Sequence, residues 1–364
     1  MLKGLAGAAL VIALSATGAA CAPPAVAVSE PATGKAGELG AASAGHGAGQ
    51  AKERLATATT AEPGEPRALR VSRRAPIEYA MNGKPFPLPI VSGTIAGQKV
   101  RMMLDTGANS HIVAGWFMRK AGLAGKKQSD GGTDHSGTAI ETYRIDKPDI
   151  TIDQWGSVGA SLVVATEVPK EIEKLGIAAF LSPQALASAS DAAVLDLAKP
   201  ELRAMPWDDA MAELAQRESA GGARLLTTGT RLCEQESGAI HLLSYVVPIA
   251  IESERVWLLL DTGAQFTDVF ATSPVGKKLA PRSVAGKEAL FTAAGKTTTR
   301  VIEAAEVRSG SFAVKTDVDL IPGGADPWCA RDGVVAMDLL RACTLVLGKG
   351  RLEGTCDRGA APAR

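Results

Sequence analysis

Large flat side chains are scarce: seven Phe, five Trp and three Tyr make up 4 % of the 364 residues. Ala, Gly, Val and Leu are plentiful instead, a composition suited to a sheet-rich body with small-residue turns. Neither sign of charge is in excess, 39 Lys and Arg standing against 39 Asp and Glu. No basic stripe or acidic tail breaks that balance, which argues against nucleic acid as a partner. No cysteine spacing resembles a zinc site, and no metal is implied. No serine or cysteine sits in a nucleophile context such as Gly-x-Ser-x-Gly. Long apolar runs are missing too. The longest, Leu5 to Ala20, is too short and too small in side-chain volume for a comfortable membrane span.

That run follows Lys3 and ends in small residues before Cys21, the pattern of a targeting segment that stands outside the fold. Two processing routes fit. A signal peptidase could cut near Ala20, or Cys21 could carry the lipid of a lipoprotein, although Gly18 stands where such sites usually have Leu. The five cysteines favour the second route. In an oxidising compartment four can pair, and lipidation would consume the odd one, Cys21. Cys343 and Cys356 flank a strand, a Gly-Lys-Gly turn and a second strand, so a bridge across that hairpin is expected. Cys233 is then left to meet Cys329. Residues 22–75 are rich in Ala, Gly, Pro, Ser, Thr and Glu with almost no large apolar side chains, and are expected to form a disordered tether.

From Pro76 the texture changes and an internal repeat begins. Ile90 to Ala108 and Val246 to Ala264 align without a gap at an offset of 156 (261 − 105). Each reads as strand, polar turn, and a second strand running into Asp-Thr-Gly-Ala. Glycine-containing hairpin tips follow at 132–139 and 291–298. Apolar strands leading to helix starts come next, at 176–183 and 333–340. Each half closes on a hairpin. Between the copies, residues 207–219 read as a helix preceded by Pro206, and 220–240 as a polar linker. The expected domains are a leader at 1–21, the tether at 22–75, one lobe at 76–205, helix and linker at 206–237, and a second lobe at 238–358.

Asp-Thr-Gly at the end of a buried strand fixes a carboxylate, and glycine lets the chain reverse closely against its neighbour. Two such loops about a pseudo-two-fold axis would bring Asp105 and Asp261 face to face. Like charges about 3 Å apart cannot both ionise, so the pair holds one proton between them. One carboxylate can then activate a water while the other protonates a carbonyl oxygen. No covalent intermediate, metal or cofactor is called for.

The duplicated Asp-Thr-Gly-Ala motif resembles the retropepsin and pepsin clan of aspartic proteases. Ala after Gly is similar to the retroviral form, and the fusion of two copies to pepsin, so the nearest likeness is the bacterial retropepsin-like group. It covers about residues 85–357. The resemblance implies a mostly β, bilobal acid-protease fold: two tandem β-barrel-like repeats with a cleft between them. Asp105 and Asp261 would be the catalytic pair. Thr106 and Thr262 would lock the loops, and Gly107 and Gly263 would present backbone N–H groups to the carboxylates. Hairpins around Gly131, Gly132 and Gly137, and around Gly295, would be flaps over an extended peptide. A monomer would suffice, with a peptide or protein substrate and a bacterial membrane, reached through the lipid, as partners.

Departures from the family pattern set up the rival reading, an inactive peptide-binding envelope lipoprotein of the same fold. Behind the second loop, Val334-Val335-Ala336 has alanine where the family has glycine. Behind the first, either Ile177-Ala178-Ala179 or Phe180-Leu181-Ser182 fills the role. Tyr143 is the only tyrosine near the first flap. His111, His135 and His241 read as structural, and the tryptophans as packing residues, with Trp328 a candidate for the cleft rim.

Overall fold

A computed structural model describes residues 69–358, apart from 130–131, 135–138, 161, 226, 238–239, 293–294 and 324–328, together with 9–10 and 15–16. Cys21, Gly131, His135, Gly137, Trp328 and residues 22–68 of the expected tether lie outside the described residues, as does the side chain of His241.

The fold is mostly β, and its two halves share one topology. In the first, strand Lys84–Ile95 pairs antiparallel with Gln98–Leu104, which runs parallel to Ile177–Leu181. That strand meets Ile112–Ala114 antiparallel, and Ile112–Ala114 lies parallel to Leu162–Thr166. In the second, Ile240–Ile251 pairs with Glu254–Leu260, which runs parallel to Gly333–Val335. That strand meets Asp268–Phe270 antiparallel, and Asp268–Phe270 lies parallel to Phe312–Ile321. The runs entering each Asp, Met102-Met103-Leu104 and Leu258-Leu259-Leu260, are buried at successive positions. Both faces of these strands are covered, so they read as unbroken apolar runs. The sheets are not closed barrels, although Ile240–Ile251 also pairs with Gly295–Ser309 in the second half.

The hairpins that end the halves do not stay separate. Asp191–Asp196 pairs antiparallel with Cys343–Gly348, making one six-stranded sheet that spans both lobes. Its far edge is Arg73–Pro76, bonded to Glu201–Pro206, so part of the stretch expected to be tether is strand. Part of the expected linker is also strand: Ala223–Arg224 pairs with the 355–356 end of Arg351–Cys356, and Arg231–Ser237 pairs with Ile240–Ile251. Backbone pairing decides these cases, because polar sequence does not prevent an edge strand from forming. Helix Trp207–Ser219 lies where the sequence places it, with Asp208 and Asp209 in its first turn and Arg217 in its last, matching the helix dipole.

Gly132–Thr133 pairs with Ala139–Ile140, and Val284–Thr292 with Gly295–Ser309, the two hairpins expected as flaps. In the leader-like segment, Ala9–Leu10 runs parallel to Leu290–Phe291 and Ser15–Ala16 antiparallel to Gly132–Thr133. Tyr143 belongs to the sheet, opposite Lys127 and Ala165, and its hydroxyl donates to Glu141 Oε2 at 3.0 Å. Disulfides join Cys233 to Cys329 and Cys343 to Cys356. They point to an extracellular or periplasmic compartment. Among the described residues no helix is long and apolar enough to cross a membrane.

Candidate active site

Each Asp loop begins where a buried strand runs out and bonds back to the strand behind it. Asp105 N–H donates to Leu181 O at 2.8 Å, and Asp261 N–H to Val335 O at 3.0 Å. Leu181 therefore corresponds to Val335, and Ser182 to Ala336. The pattern behind the first loop is Phe180-Leu181-Ser182. Alanine at 336 is accommodated without backbone strain, since its φ is −120° and its ψ −174°, an extended conformation open to any residue.

The threonines tie the two loops together reciprocally. Thr106 N–H donates to Thr262 Oγ1 at 3.1 Å and Thr262 N–H to Thr106 Oγ1 at 3.0 Å. Each hydroxyl then donates across the interface, Thr106 to Leu260 O and Thr262 to Leu104 O, both at 2.8 Å. All four bonds are buried and pseudo-symmetric, so a shift of one loop relative to the other strains them.

Two backbone groups donate to Asp105 Oδ1, Gly107 N–H at 2.9 Å and Ala108 N–H at 3.1 Å. Gly263 N–H donates to Asp261 Oδ1 at 2.8 Å. The glycines also set the approach of the loops. A Cβ on Gly107 would lie 2.5 Å from Asp261 Cγ and 2.7 Å from both its oxygens. A Cβ on Gly263 would meet Asp105 at those same distances. Nearly equal distances to carbon and both oxygens put each glycine against the face of the opposite carboxyl group. Only glycine fits there.

Both Asp side chains are fully buried. Burial raises the Asp105 carboxyl well above the ordinary value of 3.8; the neighbouring Asp261 charge adds to this, while the Ala108 and Gly107 N–H groups oppose it. Two carboxyl groups so placed favour a state with one proton between them.

Several residues behind the loops were not singled out by sequence. Gln184 Nε2 donates to Thr106 O at 3.0 Å, Ala108 O at 2.9 Å and Leu243 O at 2.9 Å, bracing the first loop against the second half. Leu243 N–H in turn donates to Asn109 O at 3.0 Å. Asp338 stands at the equivalent place, 154 residues on (338 − 184), and accepts from Thr267 N–H and Oγ1. The repeat carries the signal that could have found them, once the offset is allowed to change from 156 to 154 beyond the Asp loops.

Residues 91–177 match the family model described as aspartyl protease. No curated protein matches the chain. Among solved structures it is similar to an aspartic proteinase from Irpex lacteus, at 11 % identity and a TM-score of 0.42, over 80 % of this chain and 99 % of that one. A structure titled as that of edgp is similar at 10 % identity and a TM-score of 0.39, over 80 % of this chain and 96 % of that one. The family match falls on the segment that carries Asp105-Thr-Gly, and it supports an aspartic protease family for this chain.

Proposed function

We propose that the chain is an aspartic endopeptidase of the duplicated, retropepsin-like kind, with Asp105 and Asp261 as the catalytic pair. The observation that carries this is the reciprocal threonine lock, which holds each carboxyl group against the opposite glycine. With one shared proton, the ionised member takes a proton from a water held between them as that water attacks the scissile carbonyl carbon. The protonated member gives its proton to the carbonyl oxygen, and the first then passes the proton it took to the amide nitrogen. Collapse of the tetrahedral diol expels the amine while a diol hydroxyl returns its proton to the second carboxylate. The substrate is an extended peptide under the two hairpins, adding strand-like backbone bonds to their edges.

The rival reading, a groove that binds without turnover, drew on the alanines behind the loops and on the lipoprotein-like setting. The unstrained, extended backbone of Ala336 weakens the first of these. On our reading the enzyme is exported, works as a monomer, and is held at a bacterial membrane by lipid on Cys21. A peptide carrying a tetrahedral hydroxyl group in place of the scissile carbonyl tests the chemistry, because it imitates the transition state. It should bind roughly 10²-fold or more tighter than the matching substrate peptide, a preference lost in Asp261→Asn. Equal binding of the two peptides by wild type would support the rival.

A further inference from the structure

Besides Gln184 and Asp338, the two halves differ behind the Asp loops at a position that can titrate. Residue 111 in the first half and residue 267 in the second are equivalent by the offset of 156 (267 − 111). Both use a side-chain acceptor to hold the N–H that follows the buried strand. Thr267 Oγ1 accepts from Ala336 N–H at 3.1 Å, and His111 Nδ1 accepts from Ser182 N–H at 3.2 Å. A threonine hydroxyl keeps its acceptor at any pH. An imidazole keeps it only while neutral, with its proton on Nε2.

We propose that His111 is a positioning residue that makes the first Asp loop sensitive to acid. A proton on Nδ1 sets one donor against another, and the bond to Ser182 is lost. The effect reaches the carboxyl through one residue, because Leu181 O, immediately before Ser182, accepts from Asp105 N–H at 2.8 Å. The second loop, braced by Thr267, stays in place. Protonation therefore misaligns one carboxyl group of the pair with respect to the other. This rests on the peptidase reading for its effect on rate, though not for its effect on stability.

The surroundings favour the neutral imidazole. His111 is buried, and burial pushes it down to about 4 from an ordinary 6.5. Besides His111, its own loop carries Asp105 as the one ionisable side chain from 105 to 114. Strand Leu162–Thr166, whose Val164 N–H donates to His111 O, carries no ionisable group, and neither does Ile177–Ser182. Strand Ile240–Ile251, bonded to the same loop through Leu243, carries His241 and Tyr245. No cation or anion on these segments contributes to the shift. Since the folded value lies below the unfolded one, the stability His111 contributes is present above about 6.5 and is lost as pH falls through about 4. The aspartate pair has the opposite sign and favours acid, so His111 sets the acid edge of the working range.

The test compares wild type with His111→Thr, which copies the second half into the first. Thermal midpoints from pH 3 to pH 7 require no turnover, and wild type should lose more stability than the variant between pH 6.5 and pH 4. In a cleavage assay at pH 3, about nine-tenths of His111 is protonated in wild type, so the variant should keep roughly tenfold more of its own maximal rate. Superimposable stability profiles would overturn the proposal. A split in stability with no cleavage by either protein would uphold it and reject the peptidase reading instead. Should His111→Thr fail to fold, His111→Asn offers a non-titrating acceptor, and NMR of wild type offers a direct measure. The His111 ring and the Ser182 amide should then titrate together near pH 4, whereas a ring titrating near 6.5 or an indifferent amide would overturn it.

Discussion

Thr106 and Thr262 each donate through the backbone and the hydroxyl while accepting at the same hydroxyl, entirely out of water. Replacing either by valine keeps the shape and strands one backbone N–H and one carbonyl, at a cost of about 1–3 kcal/mol for each buried group. We expect Thr106→Val and Thr262→Val to be non-additive, which a double-mutant cycle in urea would measure, because both remove one shared network. Gly107→Ala should instead leave a fold that is inactive, the new methyl falling on the Asp261 carboxyl; unchanged cleavage would show that the loops are not so closely opposed. The two Asp-Thr-Gly tripeptides were legible because they recur in a long repeat. The repeat could have marked the place of Gln184 but not its role, and the same holds for His111. A glutamine that braces carbonyls and a histidine that accepts an N–H acquire those roles from the register of strand Ile177–Leu181 against Gln98–Leu104.

At the scale of elements, the hairpin that delivers Asp105 turns at Ala96-Gly97 with φ of 50° and 73°, both left-handed. Alanine pays a steric penalty there that asparagine or glycine avoids. Ala96→Asn should raise stability by about 0.5–1 kcal/mol without altering activity, read as a shift of the urea midpoint. Strand–turn–strand patterns and helix Trp207–Ser219 could be read locally, from alternation, turn residues and a proline at the helix start. The six-stranded sheet could not. Its strands Arg73–Pro76, Asp191–Asp196 and Cys343–Gly348 come from distant parts of the chain, and only their partners show that polar Arg73-Arg74 is an edge strand. Arg203 in that sheet is pinned to helix residue Glu213 by bonds of 2.6 and 2.8 Å, with Arg217 and Asp196 completing the cluster. Glu213→Gln should cost about 1–3 kcal/mol, because Arg203 loses its two-bond partner while Asp196 and Glu201 remain beside it.

Across the whole molecule, the Cys233–Cys329 bridge closes the larger loop, its cysteines 96 residues apart against 13 for Cys343–Cys356. Its removal as the double serine variant should cost about 4–5 kcal/mol by the loop-entropy argument, against about 3 for the smaller loop, with denaturant unfolding as the readout. The aspartate pair gives the molecule a second global dependence. The folded Asp105 value is raised, so the stability it contributes is fully present below its unfolded value of 3.8 and lost as pH rises through the raised folded value. Asp105→Asn should therefore become more stable relative to wild type as pH rises. The account stands most directly on one measurement: cleavage of a denatured protein by wild type and by Asp261→Asn from pH 3 to pH 7. It requires cleavage by wild type in the acid part of that range and a loss of about 10²–10⁴-fold or more in the variant. Cleavage that survives in Asp261→Asn, or a folded wild type that cleaves at no pH, would contradict it.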